Sequence, residues 1–389
     1  MQILLFAVGF ILFIGLILIH EWGHFIVARR NGVEVEEFGL GLPPRARGKK
    51  LKSGMILSLN WLPLGGFVKL KGEHDSDERP GSFGAANLWV KSKLMLAGVT
   101  MNALVGLLLL TILALSGLPK LIDNQFSVAR DTKIVRSQLL VGYIEPSSPA
   151  AKAGLSSRDV IRTVNAAGQT INITSAQQLY DITSSHGGQN VQLSLSRNGK
   201  IQTKDVSLRT KAEVELSLKT ASPKGYLGIG SNELSVYRAT WSAPLVALGF
   251  TKQLVVLTVQ GLGHALGGLG SAIAGTLTSN KEARVNGQTE ATAEIGGPVA
   301  IGALLWDGGS LGFSFMLMII AVVSLTLALM NVLPLPALDG GRLVMTLISR
   351  GILKRPLSKK VEESLVGASM ALLLVLFALI TIVDVKRFL

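Results

Sequence analysis

Two histidines and a glutamate near the N-terminus form an H-E-x-x-H motif, with His20, Glu21 and His24. On an α-helix, residues four positions apart lie on one face, so both imidazoles can bind one zinc ion while Glu21 stands beside it as a base. The motif follows an apolar run, residues 3–19, where ionisable groups are costly unless they are functional. We therefore predict a metal site; the alternatives are a chance match or histidines that hydrogen bond between helices.

A catalytic zinc site needs a third protein ligand, with a fourth position left for water. The chain has no cysteine to serve as this ligand. Of the other histidines, His74 follows an acidic stretch and His186 falls in a soluble segment. His264 cannot be dismissed as a ligand from the sequence alone. The best candidate is Asp339, in the stretch N-V-L-P-L-P-A-L-D-G-G-R. Its two prolines break a helix at the end of an apolar run, and irregular backbone at membrane depth must line a protein cavity.

The composition indicates a membrane protein. Of the 389 residues, 48% are hydrophobic and only 16% are charged, against about a quarter charged in soluble domains. The net charge of +13 fits basic cytoplasmic loops facing anionic lipid, and no basic stripe with interleaved aromatic residues indicates nucleic-acid binding. The lack of cysteine excludes disulfides and a cysteine nucleophile. The N-terminus lacks a basic segment and a cleavage site, so we expect it to be retained.

Four apolar runs predict transmembrane helices, at residues 3–27, 94–118, 311–333 and 365–383. Each is about long enough to cross a hydrocarbon core of roughly 30 Å. The glycine-rich segment 241–276 is less apolar and predicts an amphipathic helix at the membrane surface. Basic loops follow the first and third runs and should be cytoplasmic. Both termini and the region between runs two and three are then expected outside.

Residues 136–231 read as a soluble extracytoplasmic domain. A short proline-initiated helix should end at Gly154, and a second helix should begin at Thr174 or Ser175 and end at Gly187. The pair Asn198-Gly199 predicts a β-hairpin.

The stretch V-G-Y-I-E-P-S-S-P-A-A-K-A-G-L within that domain resembles a bacterial PDZ domain. In that family a loop of backbone N–H groups binds the carboxylate of a peptide C-terminus. The matching residues here are Leu227, Gly228 and Ile229, which come last rather than first, as in circularly permuted PDZ domains. The resemblance implies that an extended peptide pairs with an edge strand; the alternative is a spacer or steric filter.

Residues 55–73 form a hydrophobic, β-like segment with a turn signal at residues 60–66. We predict that Gly66, Phe67 and Val68 offer an edge strand to an extended substrate; the alternative is a hairpin that only caps the site. The stretch K-G-E-H-D-S-D-E-R-P-G-S-F that follows predicts a solvated cytoplasmic turn.

The chain combines three features: H-E-x-x-H on a first span, a PDZ domain, and N-x-x-P-x-P-x-L-D-G-G on a later span. Together they resemble the site-2 protease family. The match is closest to the regulator-of-sigma-E-type intramembrane zinc proteases of bacteria, and it covers most of the chain. It implies a polytopic α-helical membrane protein of about four transmembrane helices, with a membrane-associated β-hairpin and an inserted extracytoplasmic PDZ (α+β) domain. The implied segments are 1–31 (helix with H-E-x-x-H), 32–92 (cytoplasmic-side loop with the hairpin), 93–118 (second helix), 136–231 (PDZ), 232–310 (membrane-surface segment), 311–341 (third helix with the aspartate motif) and 364–384 (fourth helix).

The resemblance also implies roles for individual residues. One zinc ion per chain would be bound by His20, His24 and Asp339, with Glu21 as catalytic acid and base. Asn331, eight residues before the aspartate, would handle substrate, and G-F-V-K at 66–69 matches the family's β-loop. Many relatives have histidine after L-D-G-G, where Arg342 stands here. Because it follows the ligand, we expect Arg342 to change hydrogen bonding around the site rather than the chemistry.

The predicted function is therefore that of an intramembrane zinc endopeptidase in the bacterial inner membrane. By resemblance, its substrates are single-span membrane proteins, such as anti-sigma factors or signal-peptide remnants, and a peptide C-terminus could bind the PDZ domain. A membrane PDZ adaptor with a vestigial site is the second hypothesis, and the four intact zinc-site residues argue against it. A metal transporter is the third, and the sequence shows none of the internal repeats usual in transporters.

Overall fold

The computed structural model of the chain describes residues 2–388 except 198, 221, 279, 281, 283–285 and 287–296. These residues fall into two compact units, Met1–Ile112 with Pro244–Leu389, and Leu113–Ala243. In chain order, the elements are α1 (Gln2–Arg30), β1 (Val35–Lys50), β2 (Ile56–Leu70), α2 (Leu88–Ser116), β3 (Leu118–Pro119), β4 (Lys133–Ile144), α3 (Pro149–Lys152), β5 (Val160–Ala166), β6 (Gln169–Asn172), α4 (Ala176–Ser185), β7 (Asn190–Arg197), β8 (Lys200–Ser207), α5 (Lys211–Ser217), β9 (Ile229–Arg238), α6 (Ala243–Leu277), α7 (Pro298–Leu311), α8 (Phe313–Val332), α9 (Asp339–Thr346), a π-helical turn (Leu347–Ile352) and α10 (Lys359–Phe388).

Five helices of the described residues are long and apolar enough to cross a membrane: α1, α2, α6, α8 and α10. Four of them occupy the predicted spans, and the chain is a multi-pass membrane protein with added β-structure. The fifth, α6, is the segment predicted to lie on the membrane surface. It forms one helix of 35 residues, so its length alone permits a crossing.

The packing of α8 against α1 bears on where α6 can lie. Met316, near the start of α8, contacts Gly9 of α1, whereas Asp339, just beyond α8, lies against His20 and His24. Helices α1 and α8 therefore run in the same direction, and the chain between them must cross the membrane an odd number of times. Helix α2 supplies one crossing. A crossing by α6 would need another in residues 278–312, where the described helix α7 has 14 residues, about 21 Å.

We therefore keep the prediction that α6 lies along the membrane surface. Single-cysteine labelling tests it cleanly, because the chain has no native cysteine. Cysteines placed at Trp241 and at Thr278 should react with an impermeant maleimide from the same side of the membrane, and one at Arg355 from the opposite side. Labelling of the first two from opposite sides would show that α6 crosses.

Strands β1 and β2 form a small sheet beside α1, and each of them bends. Residues 37–40 pair with residues 66–69 on one side and with residues 56–59 on the other, and residues 45–50 pair with 56–60. The turn signal at residues 60–66 corresponds to the bend within β2, where Gly65 has φ +89°. The segment 66–70 is an edge of this sheet within the described part of the chain.

The second unit is a seven-stranded sheet in the order β3-β9-β4-β5-β7-β8, with β6 paired to β5. Its core includes Leu139, Val141, Ile161, Val164 and Leu193, all fully or almost fully buried. Helices α3 and α4 pack on it. It extends beyond the predicted range 136–231, because β3 and the outer ends of β4 and β9 pair with one another.

The predicted helix signals in this unit differ in detail from the structure. Ser175 caps α4, and the left-handed residue after this helix is Gly188 (φ +81°) rather than Gly187. Gly154, with φ +73°, ends the α3 turn as predicted. Gly199 has φ +80° between β7 and β8, whereas Asn198 lies outside the described residues.

Candidate metal centre

Three side chains from two distant parts of the chain converge at one point. Nε2 of His20 lies 3.1 Å from Oδ2 of Asp339, Nε2 of His24 lies 3.2 Å from the same oxygen, and the two nitrogens are 3.3 Å apart. In a tetrahedral zinc site with bonds of about 2.0 Å, neighbouring ligand atoms lie about 3.3 Å apart. The three atoms thus already have the spacing of three corners of a zinc tetrahedron.

The polar atoms at this point also favour a cation. Oδ2 of Asp339 is buried and has no hydrogen-bond partner of acceptable geometry among the described residues. A buried carboxylate oxygen without a partner is costly, and a bound cation removes that cost. Two imidazoles and one carboxylate are also a donor set that zinc prefers in catalytic sites. The residues present therefore fit a zinc ion.

Helix α2 orients both imidazoles. Nδ1 of His24 lies 2.8 Å from the carbonyl oxygen of Leu94, which leaves Nε2 free for a metal. Nδ1 of His20 lies 3.5 Å from the amide of Asn102. Asn102 is fully buried, and its amide oxygen has no partner in the described structure. With the amide rotated by 180°, that oxygen would accept the Nδ1–H of His20.

Asn102 was not singled out from the sequence, although a signal was present. A polar residue in the middle of the apolar run L-M-L-A-G-V-T-M-N-A-L-V-G-L is a functional candidate for the same reason as the histidines. The role of the Leu94 carbonyl could not be read in this way, because every residue carries one.

Two glycines allow α1 and α2 to approach closely at this level. A Cβ added at Gly98 of α2 would lie 2.5 Å from Cε1 and Nε2 of His20 and 2.6 Å from Nε2 of His24. A Cβ added at Gly23 would lie 2.7 Å from the carbonyl oxygen of Ala97. The imidazoles therefore fill the space that a side chain at Gly98 would need.

Asp339 reaches the histidines because the chain reverses after α8. The helix ends at Leu333, which has φ −58° and ψ 144°, just before the first proline. A Cβ added at Gly340 would lie 2.0 Å from the carbonyl oxygen of Val332, and one at Gly341 would lie 2.0 Å from that of Leu335. Only glycine permits this tight contact between the start of α9 and the broken end of α8.

Glu21 lies between the metal ligands and the edge of the β1–β2 sheet. A Cβ added at Gly66 would lie 3.2 Å from Cγ of Glu21, and the backbone N–H of Val68 interacts with the Glu21 carboxylate. The same carboxylate is within electrostatic reach of the three ligands. The Glu21 carboxylate, the three converging side chains and a strand edge therefore meet in one place.

Comparison with known proteins identifies the family. The profile described as peptidase family M50 matches residues 8–376. The chain belongs to peptidase family M50. It is 29% identical over 373 residues to a predicted zinc metalloprotease of Clostridium perfringens, covering 96% of both chains. It is 27% identical over 374 residues to one of Clostridium acetobutylicum, covering 95% of this chain and 94% of the relative.

A third relative, a predicted zinc metalloprotease of Brucella suis, is 26% identical over 365 residues, covering 89% of this chain and 86% of its own. These findings confirm the site-2 protease family predicted from the motifs. The protein is an intramembrane zinc metalloprotease, and zinc is its cofactor.

Other predicted site residues of this M50 peptidase lie elsewhere. The Asn331 amide donates to the carbonyl of Leu327 in its own helix, at 3.0 Å, so its substrate role stays a prediction. His264 is exposed on α6 and is not part of the metal-ligand group found in the described residues. The predicted peptide loop Leu227–Ile229 belongs to the second unit.

Arg342, the departure from the family pattern, anchors α9 to the loop that follows β2. Its Nη2 donates to the carbonyl oxygen of Glu73 at 3.2 Å, and its guanidinium lies 5.6 Å from the ring centre of Phe83. Phe83 is 2% exposed. Arg342 stands one helical turn after Asp339, so this contact supports the ligand helix without touching the metal position.

The same loop was predicted to be a solvated turn, and this prediction is wrong at its centre. The Asp75 side chain is 4% exposed and pairs with Lys91, which is 1% exposed. It also accepts from Nε of Arg350 at 3.0 Å and from Oγ of Ser349 at 3.3 Å. The Asp75 backbone N–H donates to Glu362 at 3.0 Å. The loop folds inward because basic and hydroxyl groups from α2 and from the π-helical turn satisfy its carboxylate.

We expect Asp75→Asn to destabilise the protein at neutral pH. Burial alone would raise the pKa of the Asp75 carboxyl, but Lys91 and then Arg350 hold it below its ordinary value. Removing one partner of a buried charge pair costs about 3–5 kcal/mol. The stabilisation is complete above the unfolded-state pKa of about 3.9 and is lost as the pH falls through the lower native pKa.

Thermal unfolding from pH 7 to pH 3 measures this effect. The gap in melting temperature between the native chain and Asp75→Asn should be largest at pH 7 and shrink below about pH 4. Asp77→Asn is the control, because Asp77 pairs locally with the exposed Arg79. Equal destabilisation by both variants, or a gap that widens on acidification, would contradict the expectation.

Proposed function

We propose that this protease cleaves the transmembrane segments of single-span membrane proteins, with zinc held by His20, His24 and Asp339 and with Glu21 as acid and base. The observation that carries this proposal is the cluster of ligand atoms 3.1–3.3 Å apart next to Glu21 and a strand edge. Because His20 and His24 lie on a helix that is long and apolar enough to cross the membrane, the bond to be cut is reached within a membrane segment.

The chemistry divides between the cofactor and the chain. A zinc ion in this site supplies Lewis acidity, which polarises a carbonyl group and makes water more acidic. Glu21 removes a proton from the attacking water and transfers it to the leaving amine. The Leu94 carbonyl and Asn102 fix the orientation of the imidazoles during these steps. Asp339 keeps its position because Gly340 and Gly341 lock the start of α9 against the end of α8.

The substrate has to be extended at the cut, because a helix hides each peptide bond within its own hydrogen bonds. The free edge at residues 66–70 supports a docking role for β2, since an extended segment can pair there by β-augmentation. The Val68 backbone contributes to the electrostatic environment of Glu21. A strand added along this edge would run directly past the acid–base group.

We expect Val68→Pro to lower the rate of cleavage by at least about tenfold, because proline removes a backbone N–H and restricts the backbone at the strand edge beside Glu21. The fold should tolerate the change, since residues 66–70 are an edge of the sheet in the described part of the chain and proline is accepted in edge strands. The matched control, Val68→Ala, keeps the N–H and shortens the side chain. Turnover of a purified single-span substrate measures the effect. Equal activity of Val68→Pro and Val68→Ala would favour a hairpin with a structural role only.

Two finer parts of the proposal rest on the family resemblance and on charge. The substrates would be anti-sigma factors or signal-peptide remnants, processed by regulated intramembrane proteolysis in the bacterial inner membrane. The basic loop that follows α1 supports a cytoplasmic position for the metal end of the helix. The second unit would then be extracytoplasmic.

The second unit supports peptide docking as a further part of the proposal. Gly228 has φ +73°, and a Cβ there would lie 2.3 Å from Cβ of Ser148, so the loop before β9 requires glycine. Its neighbour Leu227 accepts from the Ala150 N–H at 3.0 Å. Binding of a peptide with a free C-terminus, but not of its amide, would support a carboxylate loop of the PDZ type.

Membrane proteomes test the substrate class directly. Cells that carry Glu21→Gln in place of the native chain should accumulate short membrane stubs of single-span proteins. Re-expression of the native chain should clear them. An unchanged set of membrane fragments in the two strains would contradict the proposal.

A further inference from the structure

A groove opens between the C-terminal half of α1 and the first half of α2. Its volume is about 530 Å³. Arg30, Trp89 and Lys93 line one end, and Leu96 and Met101 line the other. No residue of this groove was singled out for its chemistry, and Glu21 and the three metal ligands are absent from its lining.

The groove has the polarity of one membrane leaflet. Arg30 of α1 and Trp89 and Lys93 of α2 lie at the same end, because α1 ends where α2 begins. From Trp89 to Met101 the helix rises about 18 Å, and one leaflet of the hydrocarbon core is about 15 Å thick. A phosphate at the basic end would therefore leave one acyl chain to fill the apolar end.

The basic end carries unpaired positive charge. None of the described lining residues is acidic, and neither Arg30 nor Lys93 has a carboxylate partner among the salt bridges of the described chain. Nζ of Lys93 lies 5.2 Å from the ring centre of Trp89, whose side chain is 69% exposed. An exposed tryptophan beside cations is typical of the level of lipid headgroups.

We propose that this groove binds one anionic glycerophospholipid, with its phosphate between Arg30 and Lys93 and one acyl chain against Leu96 and Met101. Charge selects the occupant, because two cations without acidic neighbours favour a headgroup with net negative charge over a zwitterionic one. The floor of the groove is the contact of Gly23 with Ala97, one helical turn from the Leu94 carbonyl that orients His24. The lipid would cover the outer face of that contact.

Native mass spectrometry of the full-length protein, purified in detergent, tests the proposal. The protein is titrated separately with phosphatidylglycerol and with phosphatidylcholine that carry the same acyl chains. One phosphatidylglycerol per chain should bind at about 30-fold lower concentration than phosphatidylcholine. That ratio corresponds to about 1 kcal/mol for each cation near a headgroup, at 1.4 kcal/mol per tenfold.

Two variants remove the two halves of the site separately. Arg30→Gln with Lys93→Gln should bind both lipids equally, whereas the matched control Lys49→Gln with Lys50→Gln, which removes two exposed charges from β1, should keep the preference. Thr100→Trp fills the apolar end and should weaken phosphatidylglycerol binding although both cations remain. Equal binding of the two lipids by the native chain would overturn the proposal. Unchanged phosphatidylglycerol binding by Thr100→Trp would also overturn the proposal. This second test does not depend on whether the double variant folds.

Discussion

The Glu21→Gln variant is expected to lose cleavage by a factor of about 10²–10⁴ and to keep one zinc ion per chain. Glutamine has nearly the same shape as glutamate but cannot accept a proton from water or deliver it to the leaving amine. The zinc should stay because Glu21 is not one of the three converging ligands. Turnover of a purified single-span substrate and zinc content by elemental mass spectrometry measure the two outcomes.

The control for this experiment is a variant that removes the metal. His24→Ala should lose both zinc and activity, since His24 supplies one of only three protein ligands. Treatment of the native protein with a strong chelator should have the same effect, and added zinc should reverse it. Retained proteolysis in Glu21→Gln would show that another group acts as the base. Loss of zinc in that variant would instead show that Glu21 supports metal binding.

The second large effect is expected from Gly98→Ala, a change of a single methyl group on a helix that carries no metal ligand. The added carbon would lie 2.5 Å from two atoms of the His20 ring, well inside van der Waals contact. Both imidazoles would have to move, and the tetrahedral spacing of the ligand atoms would be lost. We expect zinc affinity to fall by at least about 100-fold, since a shift of the supporting shell alone commonly costs 10–100-fold.

Gly15→Ala is the matched control for Gly98→Ala. A Cβ at Gly15 of α1 meets no atom within 4 Å, so the same chemical change should leave zinc binding and activity intact. Competition with a fluorescent zinc chelator measures both affinities. Equal zinc binding by the two variants would show that the α1–α2 contact is looser than the structure indicates. A variant at Gly98 that binds zinc normally but fails to cleave would show that the methyl group blocks substrate instead.

The three side chains that converge could be picked out from the sequence, because each lies where a polar or irregular residue is costly in a membrane. His20 and His24 are ionisable groups in an apolar run. Asp339 follows two prolines that break a helix at membrane depth, where irregular backbone must line a protein cavity. The contacts that orient these ligands could not be predicted, because they come from helix α2, whose register against α1 is fixed by packing. Gly98 gives no signal in the sequence, although its lack of a side chain makes room for both imidazoles.

The loop after β2 shows a different limit. Its many charged residues are typical of a solvated turn, and Asp77 and Arg79 do lie near the surface. Asp75 is buried because Lys91 and Arg350, distant in sequence, reach it. A pattern of charges along the chain does not reveal such partners. Helix α5, in contrast, begins with a capping box formed by Thr210 and Glu213, a signal that is local in the sequence.

The origin of the metal site in two distant stretches has a consequence for biosynthesis. His24 and Asp339 are separated by 315 residues, and the whole second unit is synthesised between them. Ribosomes add about 5–20 residues per second, so the histidines wait roughly 15–60 s for their third ligand. Until Asp339 has been added, the nascent chain holds only two of the three converging side chains, so it cannot complete the site described here.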